Sequence, residues 1–584
     1  MCGIICYFGY DNAIDYLIKG IKSLEYRGYD SFGCVLYQDG NLNIFKDVGK
    51  IEEVIGKFSI ETMESNRAMF HTRWATHGGI EKKNSHPHTD CTGKLAVVHN
   101  GIIENWAYLK KKMGSHNFQS DTDSEIISHM IEDYLKEDWN LVESVKSIAG
   151  KIIGLSSFVV VHKEFPYMVA YKNGSPLLIG IGKNGIFVSS DVPSLIGFTK
   201  NFVFLYDGDI VTFSEKDYEV INFFGNKNDH SIVNVDMNPQ IIEKGNYKHF
   251  MEKEIFEQPA IWKKFETPNY VDFNLATNLL KNSDKIFTIG SGSSFYAAMY
   301  GAKLFLAQGV QAIAVNGEEI LDYAKVIDDK SVFIVISQSG ETADLISGLS
   351  KFTKTKKIGI INVPSSSIAR NVDVLLKMRA GVEKAVPSTK SLTSSLLILN
   401  ILSALMNDSI TLMEKELITA NNEIYNFLVP SVLSAIESSA EIIHKMNNVF
   451  IAGRNTCYTY SLEGALKLKE CTYIHSEALD LSGLKHGSIS LIDKDTWVIV
   501  ILTKETMNES LMNVQELKAR GARIIAVSPE NHDLFDKFIR VPNLGFFNFM
   551  PIIMALQLLS YDVAIFKKIN PDMPRNLAKS VTVR

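Results

Sequence analysis

Ile286-Phe-Thr-Ile-Gly290 and Val449-Phe-Ile-Ala-Gly453 open two stretches of the same grammar, and this duplication constrains the 584-residue chain more than any other feature. Glu341-Thr342 has its counterpart in Glu505-Thr506, and Pro364 in Pro529, so the spacing between landmarks drifts only from 163 to 165 residues. A fixed offset of that length is the mark of a duplicated domain. In the first stretch the apolar runs 286–289, 332–336 and 358–363 alternate with patterns of helical period. Such alternation predicts a parallel sheet covered by helices. Two α/β domains are expected, at 248–430 and 431–568, followed by a C-terminal tail at 569–584.

The first 224 residues read differently. Short apolar runs at 95–99, 157–161 and 176–181 alternate with glycine-marked turns and with a helical pattern at 124–134, which predicts an α+β domain. The segment 225–247 is polar and loses its period, so it is expected to be a linker. A composition of 46% apolar and 22% charged residues is that of a globular chain. A formal charge of −6 argues against binding to nucleic acid or to an anionic membrane surface. The charge-free stretch 541–561 approaches spanning length, but Pro542, Asn543, Asn548, Pro551 and Gln557 interrupt it. It is expected to be a buried strand-turn-helix segment, with no membrane span. The N-terminus lacks a positive region ahead of an apolar core, and the six cysteines form no C-x-x-C pair; both point to a reducing cytoplasm.

Cys2 follows the initiator methionine. Removal of Met1 would give it a free α-amine, which can serve as general base for its own thiol. Taken alone, Cys2 reads better as a core cysteine at the start of a strand. Other segments reverse that weighting. Asn100-Gly101, after an apolar run, offers a side-chain amide and a backbone N–H to an oxyanion. Arg73 can grip a carboxylate, and Asp123 can pair with an ammonium. Singly, Asn100-Gly101 is also a hairpin dipeptide and Asp123 a helix cap. Together, Cys2-Gly-Ile, Tyr26-Arg-Gly-Tyr-Asp-Ser31, His71-Thr-Arg-Trp-Ala-Thr-His77, Val97-Val-His-Asn-Gly101 and Ser120-Asp-Thr-Asp-Ser-Glu125 resemble the glutaminase domain of class II glutamine amidotransferases, an N-terminal-nucleophile hydrolase with an αββα sandwich. The resemblance implies that Cys2 is the nucleophile and that Asn100 and Gly101 form the oxyanion hole. It also implies that Arg73, Thr76, His77 and Asp123 hold glutamine, that Arg27 helps position the N-terminus, and that Trp74 gates released ammonia. His86, His88, Cys91 and His99 match no familiar zinc spacing, so no metal is expected.

Released ammonia needs an electrophile. Gly290-Ser-Gly-Ser-Ser294 lies between a strand and a helix, where N–H groups and hydroxyls can cradle a phosphate, though alone it is an ordinary turn. Ser337-Gln-Ser-Gly-Glu-Thr342 follows a neighbouring strand on the same side; the second copy has Thr503-Lys-Glu-Thr506 there and is expected to lack the role. These motifs resemble the sugar-isomerase (SIS) domain. The whole order resembles the family of isomerising glutamine:fructose-6-phosphate aminotransferases, which use neither metal nor redox cofactor. Ser294, Ser337, Gln338, Ser339, Thr342 and Val386 would then bind the sugar phosphate. Glu463, Lys467 and Glu470 share one helix face, a pattern that without context is a solvated salt-bridge stripe. The resemblance makes Glu470 the base that moves the C1/C2 proton, Lys467 its neighbour, His486 an aid to ring opening supplied across a homodimer, and Lys579 the amine that forms a Schiff base with the open-chain ketose.

The chain also departs from the family pattern. Ser482-Gly483 and Arg584 stand at altered positions, and Glu383-Lys-Ala-Val-Pro-Ser-Thr-Lys390 is a changed loop in which Pro387 removes a backbone donor. Three readings follow: an enzyme acting on L-glutamine and fructose 6-phosphate, a paralogue aminating another sugar phosphate, or a sugar-phosphate-responsive regulatory protein with a degenerate glutaminase.

Overall fold

The computed structural model describes residues 2–235, 243–268 and 270–580. These form two compact units, one mainly within Met1–Glu243, the other mainly within Lys244–Gly340 and Asp344–Leu577.

The first unit holds two antiparallel sheets among the described residues. One is eight-stranded, in the order Val233–Asn234, Asn201–Phe204, Leu178–Ile181, Gly185–Ser189, Gly3–Gly9, Arg67–Arg73, Ser31–Gln38, Asn41–Val48. The other is six-stranded, in the order Tyr218–Ile221, Asp209–Phe213, Met168–Lys172, Ser156–His162, Leu95–Gly101, His88–Thr89. Strand Gly3–Gly9 shows why the sheets stack. With a side-chain period of two, Ile4, Cys6 and Phe8 pack with Val98, Val159 and Ala170 of the other sheet. Ile5 and Tyr7 face the opposite way and pack with Ala13, Leu17 and Val54, from helices Ala13–Ser23 and Ile51–Phe58. Helices Glu125–Lys136 and Leu141–Ala149 cover the six-stranded sheet through Ile127, Ile131, Val145 and Ile148. The layers run αββα, as the resemblance implies.

The polar segment expected to be a linker is not structureless throughout. Val233–Asn234 adds to the edge of the eight-stranded sheet, opposite Asn201 and Phe202. Asn228 donates to Asp209 at 2.8 Å, and the His230 ring lies 2.9 Å from the same carboxylate. An edge position asks little of sequence hydrophobicity, so the strand left no apolar run to read. Residues 236–242 of that segment lie outside the described residues.

The second unit holds two five-stranded parallel sheets among the described residues. Their spatial orders are Ala312–Asn316, Lys285–Gly290, Ser331–Ser337, Lys356–Ile361, Val374–Lys377 and His475–Asp480, Asn448–Gly453, Trp497–Ile501, Arg523–Ser528, Lys537–Arg540. In each, the second strand flanks the first and the third lies on the first's other side, so both have the same doubly wound order. The opening turns match in detail. Gly292 stands before helix Ser293–Leu306 with φ +57°, and Asn455 stands before helix Thr456–Thr472 with φ +56°. Glycine tolerates that region freely, and asparagine better than most residues. Helices Lys390–Met406 and Phe549–Phe566 are buried along most of their lengths. The stretch Gly545–Phe566 is long and apolar enough to cross a membrane, but its 18-residue apolar window is 83% buried, as a core helix is. The segment 541–561 comprises a loop, the 3₁₀ turn Gly545–Phe547 and this helix; the preceding strand ends at Arg540.

Candidate active site

Strand pairing assembles the first constellation. Gly3 lies opposite Thr72, so Cys2 meets the end of strand Arg67–Arg73. The Trp74 N–H donates to the Cys2 Sγ at 3.2 Å, and the thiol lies 3.5 Å from the Trp74 carbonyl. Burial raises the Cys2 thiol above its usual range, while the N-terminal charge, the Trp74 N–H and the Arg73 guanidinium pull it down. Asn100, from the other sheet, donates its Nδ2 to the Cys2 carbonyl at 3.1 Å and to Ser190 Oγ at 2.9 Å. Asn100-Gly101 thus ends a strand instead of turning a hairpin. A side chain at Gly101 would meet the Leu155 carbonyl at 1.9 Å, and its φ is +134°; glycine is required there.

Arg73 is buried and commits donors to three carbonyls: Nη2 to His77 at 2.6 Å and Gly78 at 3.0 Å, Nη1 to Gly79 at 3.2 Å. It therefore shapes the 77–79 turn as well as facing Cys2 and Asp123, both of which act on its charge. Asp123 is buried and accepts from the Ile103 N–H at 2.7 Å. It does not cap helix Glu125–Lys136, which begins two residues later. Thr76 is exposed; the His77 ring packs edge-on to Trp106, with Nδ1 buried and unpaired among the described residues. Trp74 is half-buried, edge-on to Tyr29.

Arg27 pairs with Asp191 at 3.1 Å, and Tyr26 donates to the same oxygen. The rest of that motif was less legible in sequence. A Cβ on Gly28 would meet the Arg73 carbonyl carbon at 2.6 Å, so only glycine lets this turn lie against the Arg73–Trp74 backbone. Asp30 receives the Ala75 N–H at 2.8 Å. Ser190, Asp191 and Asp30 are positioning residues that spacing could not reveal, because their partners lie far along the chain. His86, His88 and His99 are hydrogen-bonded core histidines: His99 contacts Ser124 and Ser156 at 2.8 and 2.9 Å, His88 contacts Thr122 at 3.1 Å, and His86 receives the His99 N–H at 3.3 Å. His71 is buried with them, its Nε2 on the His99 carbonyl at 3.1 Å and its Nδ1 unpaired among the described residues. Burial lowers His71 to about 3 and His99 to about 4, so both rings are neutral near pH 7.

In the second unit, Gly290 lets the turn fold back: a Cβ there would meet Ser294 backbone atoms at 2.5 Å. Ser291 Oγ is buried and unpaired among the described residues; Ser294 is half-buried in the first turn of the helix. Ser337 closes the neighbouring strand and receives the Gly340 N–H at 2.9 Å. Gln338 and Ser339 follow half-buried, and Thr342 precedes helix Ala343–Ser350. At the matching place in the second sheet, Thr503 and Thr506 are buried and contact each other at 3.2 Å.

The face of helix Thr456–Thr472 bearing Glu463, Lys467 and Glu470 is no solvated stripe. Lys467 and Glu463 are buried; the ammonium lies 2.6 Å from Glu470 and 3.3 Å from Glu463, and donates to Ser293 Oγ at 3.2 Å. The second copy's helix thus touches the turn that opens the first copy's helix Ser293–Leu306. Burial alone would lower Lys467, but the two carboxylates hold it well above its usual range. Burial raises Glu463 to about 7, against the pull of Lys467. The Val386 N–H donates to the Asp572 carbonyl at 2.9 Å, and Asp572 in turn receives the Phe250 and Met251 N–H groups. His486 is exposed at the end of the 3₁₀ turn Leu484–His486, and its ring makes no hydrogen bond or ion pair among the described residues. Lys579 lies half-buried in an irregular segment; Val581, Val583 and Arg584 lie outside the described residues.

Comparison with known proteins agrees with this domain content. A model of the glutamine amidotransferase domain matches residues 71–197, and one of the SIS domain matches 279–405 and 442–536. A glutamine–fructose-6-phosphate aminotransferase (isomerizing) from Pyrococcus horikoshii is 39% identical, and one from Thermococcus kodakarensis 37%, each over 100% of both chains. Among solved structures, the C-terminal domain of glucosamine-fructose-6-phosphate aminotransferase from Francisella tularensis has TM-score 0.53 and 32% identity, covering 57% of this chain and 100% of that one. A putative tagatose-6-phosphate ketose/aldose isomerase from Clostridium novyi NT, at TM-score 0.51 and 18% identity over 57% of this chain and 93% of that one, shares the fold. Full-length identity at this level, with both domain types in order, shows that the chain belongs to the isomerising glutamine–fructose-6-phosphate aminotransferase family.

Proposed function

We propose that the chain transfers the amide nitrogen of L-glutamine to fructose 6-phosphate and isomerises the product, releasing glutamate and glucosamine 6-phosphate. The observation that carries this reading is the Lys467 ammonium held between Glu470 and Ser293: it joins a carboxylate base to a phosphate-type turn, in a chain whose other unit ties the Cys2 backbone carbonyl to the Asn100 amide.

In the first unit, Cys2 attacks the glutamine amide after Met1 is removed, its own α-amine taking the thiol proton and passing it to the departing ammonia; water then hydrolyses the glutamyl thioester to glutamate and the free thiol. The Asn100 amide and the Gly101 N–H receive the oxyanion. Arg73, Thr76 and His77 hold the substrate's carboxylate end, and Asp123 its ammonium. Arg27, locked on Asp191, fixes the N-terminal strand, and Trp74 gates the ammonia.

For the acceptor, Ser294, Ser337, Gln338, Ser339 and Thr342 hold the phosphate; Lys579 forms the imine with the ketose, and ammonia displaces it. Glu470 then shuttles the proton between C1 and C2, with Lys467 keeping it ionised. Val386 contributes through its carbonyl, because its N–H is engaged. His486 assists ring opening in a partner subunit's site of a homodimer. The free cysteines fit a reducing, cytoplasmic setting.

A paralogue acting on another sugar phosphate has one feature in its favour. In loop 383–390 the N–H groups of Lys384 and Ala385 go to Glu254, that of Val386 to Asp572, and Pro387 has none. The loop's donors are thus directed into the protein. Mass spectrometry of the products formed from glutamine and a panel of ketose phosphates separates the two: glucosamine 6-phosphate alone supports the first reading, preference for another ketose the second. No amino sugar from any ketose rejects both.

A further inference from the structure

Outside the catalytic constellations, one cluster among the described residues has the make-up of a metal site. Cys91 stands exposed in the turn between strands His88–Thr89 and Leu95–Gly101; His116 lies in the loop after helix Trp106–Lys112; His129 and Glu132 project from one face of helix Glu125–Lys136 and are buried. Cys91 Sγ is 3.5 Å from His116 Nδ1 and 3.6 Å from His129 Nδ1. Glu132 Oε2 is 3.2 Å from each of the same two nitrogens. All four candidate donor atoms lie within 4.8 Å of one another.

These separations can be set against a tetrahedron. With zinc–sulfur bonds of about 2.3 Å and zinc–nitrogen or zinc–oxygen bonds of about 2.0–2.2 Å, the edges are about 3.6 Å for S···N and about 3.4 Å for N···O. The four measured edges fall within about 0.2 Å of those values. The surroundings are those of a built site. Both histidines turn Nδ1 inward, and each Nε2 faces a carboxylate: His116 Nε2 is 3.0 Å from Asp133, and His129 Nε2 is 3.5 Å from Glu125. Carboxylates behind ligating histidines fix tautomer and orientation. The Asn117 N–H points at Cys91 Sγ at 3.4 Å, as suits a thiolate, and Lys136 holds the other oxygen of Glu132 at 2.8 Å.

We infer that Cys91, His116, His129 and Glu132 bind one zinc ion in a closed, structural site. A thiolate and a carboxylate neutralise the dication, and four protein donors leave no open position for chemistry. On binding, the Cys91 thiol proton passes to solvent as the S–Zn bond forms, without redox change. The ion ties three chain segments together. Through Glu125, which also receives the Gln119 and Ser120 N–H groups at 2.7 Å each, it braces the loop that carries Asp123. The sequence concealed the set because its ligands are spread from 91 to 132, with Cys91 near three histidines that the core uses otherwise.

The test is metal analysis of the full chain purified without chelator, and again after incubation with zinc sulfate and desalting. About one zinc per chain is expected, falling at least tenfold in Cys91→Ala and in His129→Gln. Cobalt(II) loading of the unaltered chain provides a measurement that does not depend on a variant folding. It should give the intense visible bands of a tetrahedral ion and a thiolate charge-transfer band, which zinc abolishes. Zinc content that is negligible in the unaltered chain even after incubation, or equal in the variants, overturns the site. So does cobalt loading without a thiolate band.

Discussion

Burial governs the protonation of Glu463. An exposed glutamate titrates near ~4.3, whereas this carboxyl is raised to about 7 by its dry surroundings in spite of Lys467 beside it. The folded state therefore binds that proton more tightly than the unfolded chain, and stability from this source is present at low pH and lost as pH rises through about 7. Glu463→Gln removes the dependence. The melting temperature of the variant relative to the parent should rise between pH 5 and about pH 7 and level off above that in a series of thermal scans; a flat difference would mean the carboxyl is ionised throughout. Cys2 provides a second residue-scale test. Cys2→Ala should reduce glutamine-dependent synthesis roughly a thousandfold or more, while isomerisation of the hexose phosphate, read in a coupled assay, persists. Retention of Met1 in the active protein would contradict the assigned amine.

The strand-turn-helix units show what the chain pattern revealed and what it hid. The offset between Gly290 and Gly453 was legible because two parallel sheets repeat one period. The contact between the copies was not, because Lys467 and Ser293 are 174 residues apart and nothing local marks them as neighbours. In the same way, the Glu463 to Glu470 stripe looks solvated in sequence, and only packing of helix Thr456–Thr472 against helix Ser293–Leu306 makes it a buried charge cluster. The edge strand Val233–Asn234 was hidden for the opposite reason, since two exposed residues suffice there. The proposed phosphate cradle rests on the asymmetry of the copies. Thr503 and Thr506 satisfy each other, whereas Ser291 Oγ is unpaired among the described residues. Removing the hydroxyl of Ser294, Ser339 or Thr342 should each weaken sugar-phosphate binding by about 1 kcal/mol, roughly fivefold, in calorimetric titration. Thr503→Val and Thr506→Val should leave it within error; equal losses would show the cradle to be misplaced.

At the scale of the whole molecule, the proposal requires two chemistries to be coupled in one chain. Lys579 tests the acceptor half. Arginine keeps the charge but cannot form an imine, so Lys579→Arg should lose amination and ketose isomerisation while glutamine hydrolysis continues. Borohydride should trap sugar on the parent chain alone. Trapping on Lys467 or Lys485 would reassign the imine. The coupling itself is measured most directly with amide-¹⁵N glutamine, fructose 6-phosphate and a large excess of unlabelled ammonium. If nitrogen passes within the protein, the glucosamine 6-phosphate retains nearly all of the ¹⁵N and forms in equal amount to glutamate. Product whose label is diluted to the isotope ratio of the bulk ammonium would contradict the account.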